Sequence, residues 1–216
     1  MLTGFGALAL CLSSDGDMLS QWRGYADDAN GVSIGFSKEA LERTGAAAIF
    51  RGNRNEIVPV EYDPKVHLSL VEPLSKEISK IVRDGIFSIP RAGFNKSNAN
   101  HYKGVLDAYT TELSKLVGVL FKCKHNAFRE ENEWRYMVMY ARLTVGNTAK
   151  PLTIDLQYHP RKSALVPYIE VPLDQDDAIS EVIIGPRHTT PVEIVQDFLR
   201  DSFPKAVVRK SVATYR

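Results

Sequence analysis

The run Phe5-Gly-Ala-Leu-Ala-Leu-Cys-Leu12 most constrains the fold, because it carries no charge and breaks off at the polar cluster Ser13-Ser-Asp-Gly-Asp17. It suits a buried strand and falls far short of the ~20 apolar residues that a membrane-spanning helix needs. A strand this apolar must be covered on its faces and paired along its backbone, and the partners must come from elsewhere in the chain. A sheet with long-range pairing is therefore implied. The closeness of this strand to Met1 leads to the expectation that a neighbouring strand is missing from the sequence as given.

The next segments read as strand, turn, helix, turn and strand in quick succession. Ser13–Asp17 is dense in turn and N-cap residues and leads into a short helix over Met18-Leu-Ser-Gln-Trp-Arg-Gly-Tyr25. Asp27-Asp-Ala-Asn-Gly31 is a second turn cluster, with Asn30-Gly31 suited to positive φ, and Val32–Phe36 alternates like a half-buried strand. Ile57–Tyr62 is a strand demoted to a sheet edge by Pro59, and Asp63-Pro64 marks the N-cap and first residue of a helix. Val71, Leu74, Ile78 and Ile81 continue that helix, with Pro73 as a kink or fresh start. A connector over Asp84–Asn100 precedes a longer helix striped by Leu106, Tyr109, Leu113, Leu116 or Val117, and Leu120.

The C-terminal third alternates strand signals at Trp134–Ala141, Leu152–Leu156, Ala164–Val171 and Glu181–Ile184. It then adds a helix opened by the capping box Thr190-Pro-Val-Glu193. The expected class is α+β: a mixed, mostly antiparallel sheet with an antiparallel helical pair inserted at 63–122 and a C-terminal helix. With 216 residues, 44% hydrophobic and 25% charged, one domain over 1–216 is expected. A formal charge of +1 gives no general drive toward nucleic acid or acidic membranes, so any such target must be recognised by a local patch. No basic segment precedes the first apolar run, and a cytoplasmic protein without membrane association is expected. Cys11 and Cys123 read as buried free thiols, and no metal site is foreseen.

Two segments stand out chemically. In Phe128-Arg-Glu-Glu-Asn-Glu-Trp-Arg-Tyr136, strand alternation places Glu131, Glu133 and Arg135 on one face and Asn132, Trp134 and Tyr136 on the other. Two carboxylates sharing a cleft repel, which raises the pKa of one, whereas Arg129 or Arg135 alongside holds them ionised. The alternative is a solvated salt-bridge ladder. In the first segment Trp22, Arg23 and Tyr25 suit a pocket for a planar group, against core packing by Trp22. Arg23 either pairs with Glu131 or Glu133, tying the segments together across a cleft, or contacts a phosphate. Asp15 and Asp17 read as turn and capping residues, and His67, His101, His125, His159 and His188 show no catalytic pattern.

These segments carry a resemblance. Cys11-Leu-Ser-Ser-Asp-Gly-Asp-Met-Leu-Ser-Gln-Trp-Arg-Gly-Tyr25, Gly31–Phe36, Phe121–Arg135, Ile183-Ile-Gly-Pro186 and Lys210–Arg216 resemble the bacterial domain-of-unknown-function family 2971. Members usually begin with a strand bearing a His-Tyr-Thr-like signature and a helix, and this sequence starts after them. The family in turn is similar to ADP-ribosyltransferases, which implies an ADP-ribosyltransferase-like fold and NAD as a substrate. On that resemblance Glu133 is the late catalytic glutamate and Glu131 the upstream member of its pair. Ser13, Trp22 and Tyr25 shape the nicotinamide pocket, and Arg23 stands with them at the cofactor. The early Arg or His that anchors NAD has no counterpart in the sequence given.

Three functions follow as expectations. The first is an ADP-ribosyltransferase or NAD glycohydrolase acting on protein, nucleic acid or water. The second is a non-enzymatic interaction or regulatory domain, or an inactive truncated form, with the two segments joined as a bridge. The third is a metal-dependent hydrolase using Asp15, Asp17, Glu131 and Glu133. An exposed sheet edge would also favour a homo-oligomer.

Overall fold

The structure, a computed structural model, describes residues 2–49, 54–85, 99–145, 148–149, 156–173 and 175–215. In chain order these form β1 (Leu2–Ser13), α1 (Leu19–Tyr25), β2 (Val32–Phe36), α2 (Lys38–Ile49), β3 (Arg54–Pro59), α3 (Pro64–Asp84) and α4 (Ala99–Leu120). A 3-10 turn at Asn126–Glu131 leads to β4 (Glu133–Val145), β5 (Thr148–Ala149), β6 (Gln157–Arg161), β7 (Ala164–Tyr168), β8 (Ile179–Ile184), α5 (Val192–Leu199) and β9 (Val207–Lys210). One sheet has the order β1-β4-β3 with β5 on β4, a second the order β2-β8-β9, and β6 pairs with β7 as a hairpin. The class is α+β with small, mostly antiparallel sheets; β8 and β9 are a parallel pair. The described residues cluster into two compact units, one drawn from Met1–Ala7, Val60–Arg129 and Met139–Pro151, the other from Leu8–Pro59, Glu130–Val138 and Leu152–Arg216.

In the second unit β8 is the central strand, and its alternation decides the core. Val182 and Ile184 point to one face, where they meet Leu199 of α5 and Val208 of β9. Ile183 points to the other face and packs with Trp22 and Ala29, which are 2% and 0% exposed. Burying one large aromatic ring stabilises by about 2–3 kcal/mol, so Trp22 is a main anchor of this face. A Cβ on Gly185 would stand 2.5 Å from the Ala29 carbonyl oxygen and 2.6 Å from that of Gly31, so only glycine fits there. The Gly185 amide donates to Gly31 at 3.0 Å, which pins the second turn cluster against the end of β8.

The other unit holds the two long helices. Asp63 caps α3 by accepting from the Lys65 amide at 2.8 Å, with Pro64 at the first helical position, and the helix runs through Pro73 without restarting. Glu61, just before α3, bridges Cys123, just after α4, while a Cβ on Gly85 at the end of α3 would strike Val105 near the start of α4. The pair is therefore antiparallel, as its spacing predicts.

Several expectations needed correction. The strand read at Ile57–Tyr62 lies earlier, at Arg54–Pro59, because Pro59 lacks the N–H to continue the ladder; it does sit at a sheet edge. Positive φ falls at Asp27, Asp28 and Ala29 (48°, 50° and 70°) rather than at Asn30-Gly31. Helix α1 has Met18 as its cap with no side-chain hydrogen bond, and α5 is capped by Pro191, so Thr190 is one residue too early for a capping box. Cys11 is exposed and Cys123 half-buried, not a buried pair. All but Leu156 of the strand expected at Leu152–Leu156, and most of the connector at Asp84–Asn100, lie outside the described residues. Helix α2 and strands β6 and β9 went unread, although Ser37 is a legible cap whose hydroxyl accepts from the Ala40 amide at 3.2 Å.

Candidate functional site

The turn after β1 is built by its own side chains. Ser13 Oγ accepts from the Asp15 amide at 3.2 Å, and Asp15 Oδ1 accepts from the Asp17 amide at 2.9 Å. This Asx-type geometry turns the chain into α1 and aims the Asp17 carboxylate inward. Asp17 Oδ1 accepts from Trp22 Nε1 at 2.7 Å and from the Ser211 hydroxyl, while Oδ2 accepts from the Val212 amide at 2.8 Å and Arg209 Nη1 at 3.3 Å. Burial raises the Asp17 pKa, but the hydrogen bonds from Ser211, Val212, Trp22 and Arg209 outweigh it and hold the carboxyl below its ordinary 3.8. The role of Asp17 is thus to clasp Trp22 to the chain end after β9. Sequence reading took it for a helix cap, because its partners at 209–212 are remote in the chain.

The second turn cluster is held in the same region. Asp28 pairs with Arg187 and accepts from the Tyr215 hydroxyl. Arg23 and Arg187 both approach the Tyr215 ring, with guanidinium carbons 5.4 Å and 5.5 Å from its centroid. Arg23 is therefore placed on an aromatic ring, not on a glutamate as its charge suggested.

The two carboxylates separate. Glu131 ends the 3-10 turn, Asn132 adopts φ 42°, and β4 begins only at Glu133, so one strand face does not present Glu131 and Glu133 together. Glu133 is 4% exposed and binds Arg135 Nε at 2.6 Å. Burial lowers the Arg135 pKa, but Glu133 and Cys11 beside it raise it overall. The expected face of Trp134 and Tyr136 does form. Tyr136 is buried and accepts from Asn55 Nδ2 at 3.1 Å, with burial raising its pKa. The two distinctive segments are joined at main-chain oxygens: the Ser14 amide donates to Asn132 O at 3.1 Å, and the Ser13 hydroxyl donates to Glu131 O at 2.8 Å.

A cleft of about 660 Å³ opens in this unit between β1, α1 and β2. Ser13, Trp22 and Tyr25 line it; Arg23, Glu131 and Glu133 do not. Tyr25 is exposed at the rim, whereas the covered Trp22 contributes to the floor. Trp134 also lines the cleft, with Lys38 Nζ 5.0 Å from its ring centroid, so both tryptophans of the chain border one cavity. Trp134 was legible as lying opposite Glu133. Lys38 was not, because its helix went unread. Among the described residues no group of three or more His, Cys, Asp or Glu converges as a metal-ligand set. Asp17, which the metal-dependent alternative needs, already has both oxygens engaged by donors. No helix among the described residues is long and apolar enough to cross a membrane.

Comparison with known proteins returned no match among curated proteins and none among solved structures. A family described as "Protein of unknown function (DUF2971)" matches residues 21–136, a span that carries Trp22, Tyr25, all of β2 and Trp134. The chain belongs to this DUF2971 family.

Proposed function

We propose that the domain recognises a ligand in the cleft and does not transform it through Glu131 and Glu133. The observation that carries this reading is the separation of cavity from carboxylates. Ser13, Trp22, Tyr25 and Trp134 border a space of about 660 Å³, within the range of small-ligand sites, while Glu133 is buried against Arg135. A carboxylate that stabilises a developing oxocarbenium charge must face the reacting sugar, and an ion-paired one has already spent its field on a neighbour.

A second reading, ADP-ribosyl transfer or NAD hydrolysis, is favoured by one observation: Ser13, Trp22 and Tyr25, the residues that the resemblance assigns to the nicotinamide pocket, line the same cavity. One experiment separates the two. The planar probe 8-anilino-1-naphthalenesulfonate is added to the protein and energy transfer from Trp22 and Trp134 is followed; in parallel, nicotinamide release from NAD is measured for wild type and Glu133→Gln. Recognition without turnover predicts saturable transfer, and release no faster than in buffer. Release that Glu133→Gln abolishes would establish the transferase reading instead.

A further inference from the structure

We propose that the cleft takes a planar, mostly apolar molecule carrying a single negative charge, an aromatic carboxylate being the simplest example, and that Lys38 receives the charge; this rests on reading the cleft as a recognition site. Leu10 of β1, Trp134 of β4 and Ile57 of β3 all line it, and these strands are neighbours in the order β1-β4-β3. One wall is therefore the face of that sheet, with the half-buried Trp134 on its middle strand. Phe36 of β2 and Leu41 of α2 supply further apolar lining. The body of a ligand thus meets apolar side chains and an indole, surroundings that suit a flat hydrophobic molecule.

The charge follows from the three charged side chains of the lining, Asp15, Lys38 and Glu181. Glu181 is already matched by Arg209, whose Nε donates to it at 2.6 Å. Asp15 belongs to the turn after β1, where its Oδ1 accepts from the Asp17 amide. A Cβ on the adjacent Gly16 would stand 3.3 Å from Ser33 Oγ, which puts Asp15 beside the start of β2. The extended chain from Ser33 to Phe36 covers about 10 Å, and Lys38 follows beyond it, away from Asp15. The other acidic neighbour of Lys38 is Glu42 at 3.8 Å, and with both side chains more than half exposed that pair holds it weakly. Lys38 Nζ instead stands over the Trp134 ring, 5.0 Å from its centroid. A ligand ring stacked on this face of Trp134 takes the place of the ammonium, which regains a partner only if the ligand brings a negative charge. A neutral ring leaves the ammonium without that contact, and a cationic one is repelled by it. Lys38 is the one cation among the described residues of the lining, so it matches one anionic group.

The test uses the full chain and two dyes of similar shape, 8-anilino-1-naphthalenesulfonate and the uncharged N-phenyl-1-naphthylamine, each titrated by energy transfer from tryptophan. The wild type should bind the sulfonate dye about fivefold more tightly or better, and added sodium chloride should weaken that dye alone. Lys38→Met should remove the preference by weakening the sulfonate dye while leaving the neutral one as tight or tighter. Lys38→Arg should keep most of it, and Lys76→Met, on α3 and outside the lining, should leave it intact. Naphthalene-2-carboxylate should displace the sulfonate dye at least as strongly as 2-naphthyl phosphate does; stronger displacement by the phosphate overturns the single charge in favour of a phosphate ester. Equal affinity of the wild type for both dyes overturns the charge and leaves the recognition site standing. A preference that survives Lys38→Met, or equal weakening of both dyes by it, overturns the role of Lys38. Binding of neither dye overturns the recognition site itself, and this proposal with it.

Discussion

Replacing Asp17 with asparagine keeps the shape of the side chain but removes its charge and turns one acceptor oxygen into a donor. The Asp17 side chain is only 10% exposed, and its two oxygens serve four donors. If the remaining oxygen stays on Trp22 Nε1 and Ser211, the new amide faces the Val212 N–H and the Arg209 guanidinium, donor against donor. A hydrogen bond to a charged acceptor contributes about 1.5–3 kcal/mol, and an unmatched donor adds about 1 kcal/mol or more. The Arg209 contact, at 3.3 Å from a side chain 39% exposed, adds little. Asp17→Asn is thus expected to cost about 2–4 kcal/mol, and to lower Tm by roughly 6–12 °C in a chain of this size.

The pH dependence supplies a second signature of the same clasp. Because the folded pKa of Asp17 is depressed, its contribution is present above the ordinary value of 3.8 and is lost as the pH falls through the lower folded value. The stability gap between wild type and Asp17→Asn, measured by urea unfolding monitored through tryptophan emission, should be full at neutral pH and should close below about pH 3.8. A variant within about 0.5 kcal/mol of wild type at neutral pH, the ordinary scatter of surface substitutions, would refute the reasoning.

Three further outcomes are expected. Glu133→Gln removes the negative charge that the Arg135 guanidinium, itself only 15% exposed, binds at 2.6 Å; it should cost about 3 kcal/mol in thermal unfolding while leaving dye affinity in the cleft unchanged. Gly185→Ala forces a methyl group to within 2.5 Å of a carbonyl oxygen and should destabilise by about 2 kcal/mol or more, read as a shifted urea midpoint at constant slope. Asp27→Gly removes the cost of a left-handed conformation at φ 48° on an exposed residue and should stabilise by up to about 1 kcal/mol by the same assay.

What the sequence made legible was what short-range patterns encode. The helix over Trp22, the alternation of β2, the cap at Asp63-Pro64 and the paired long helices all follow from local spacing and turn chemistry. The meeting of Ser13–Phe36 with Phe128–Tyr136 was anticipated, but its means was not: in place of an Arg23 ion pair, the Ser13 hydroxyl and the Ser14 amide donate to the main-chain oxygens of Glu131 and Asn132, and no side-chain periodicity reports main-chain acceptors. The shared face of Glu131 and Glu133 failed because Asn132 in a left-handed conformation ends the 3-10 turn, which shifts the start of the strand by two residues. Asp17 and Arg23 were read as a cap and an ion-pair partner because their true partners, Ser211, Val212 and Tyr215, lie almost the whole chain away.

The account turns on a cleft that takes up a ligand apart from Glu133, and the dye titration tests that most directly. Saturable energy transfer from Trp22 and Trp134 to 8-anilino-1-naphthalenesulfonate, with an affinity that Glu133→Gln leaves unchanged, is the predicted result. Absence of saturable transfer in the folded protein would contradict it.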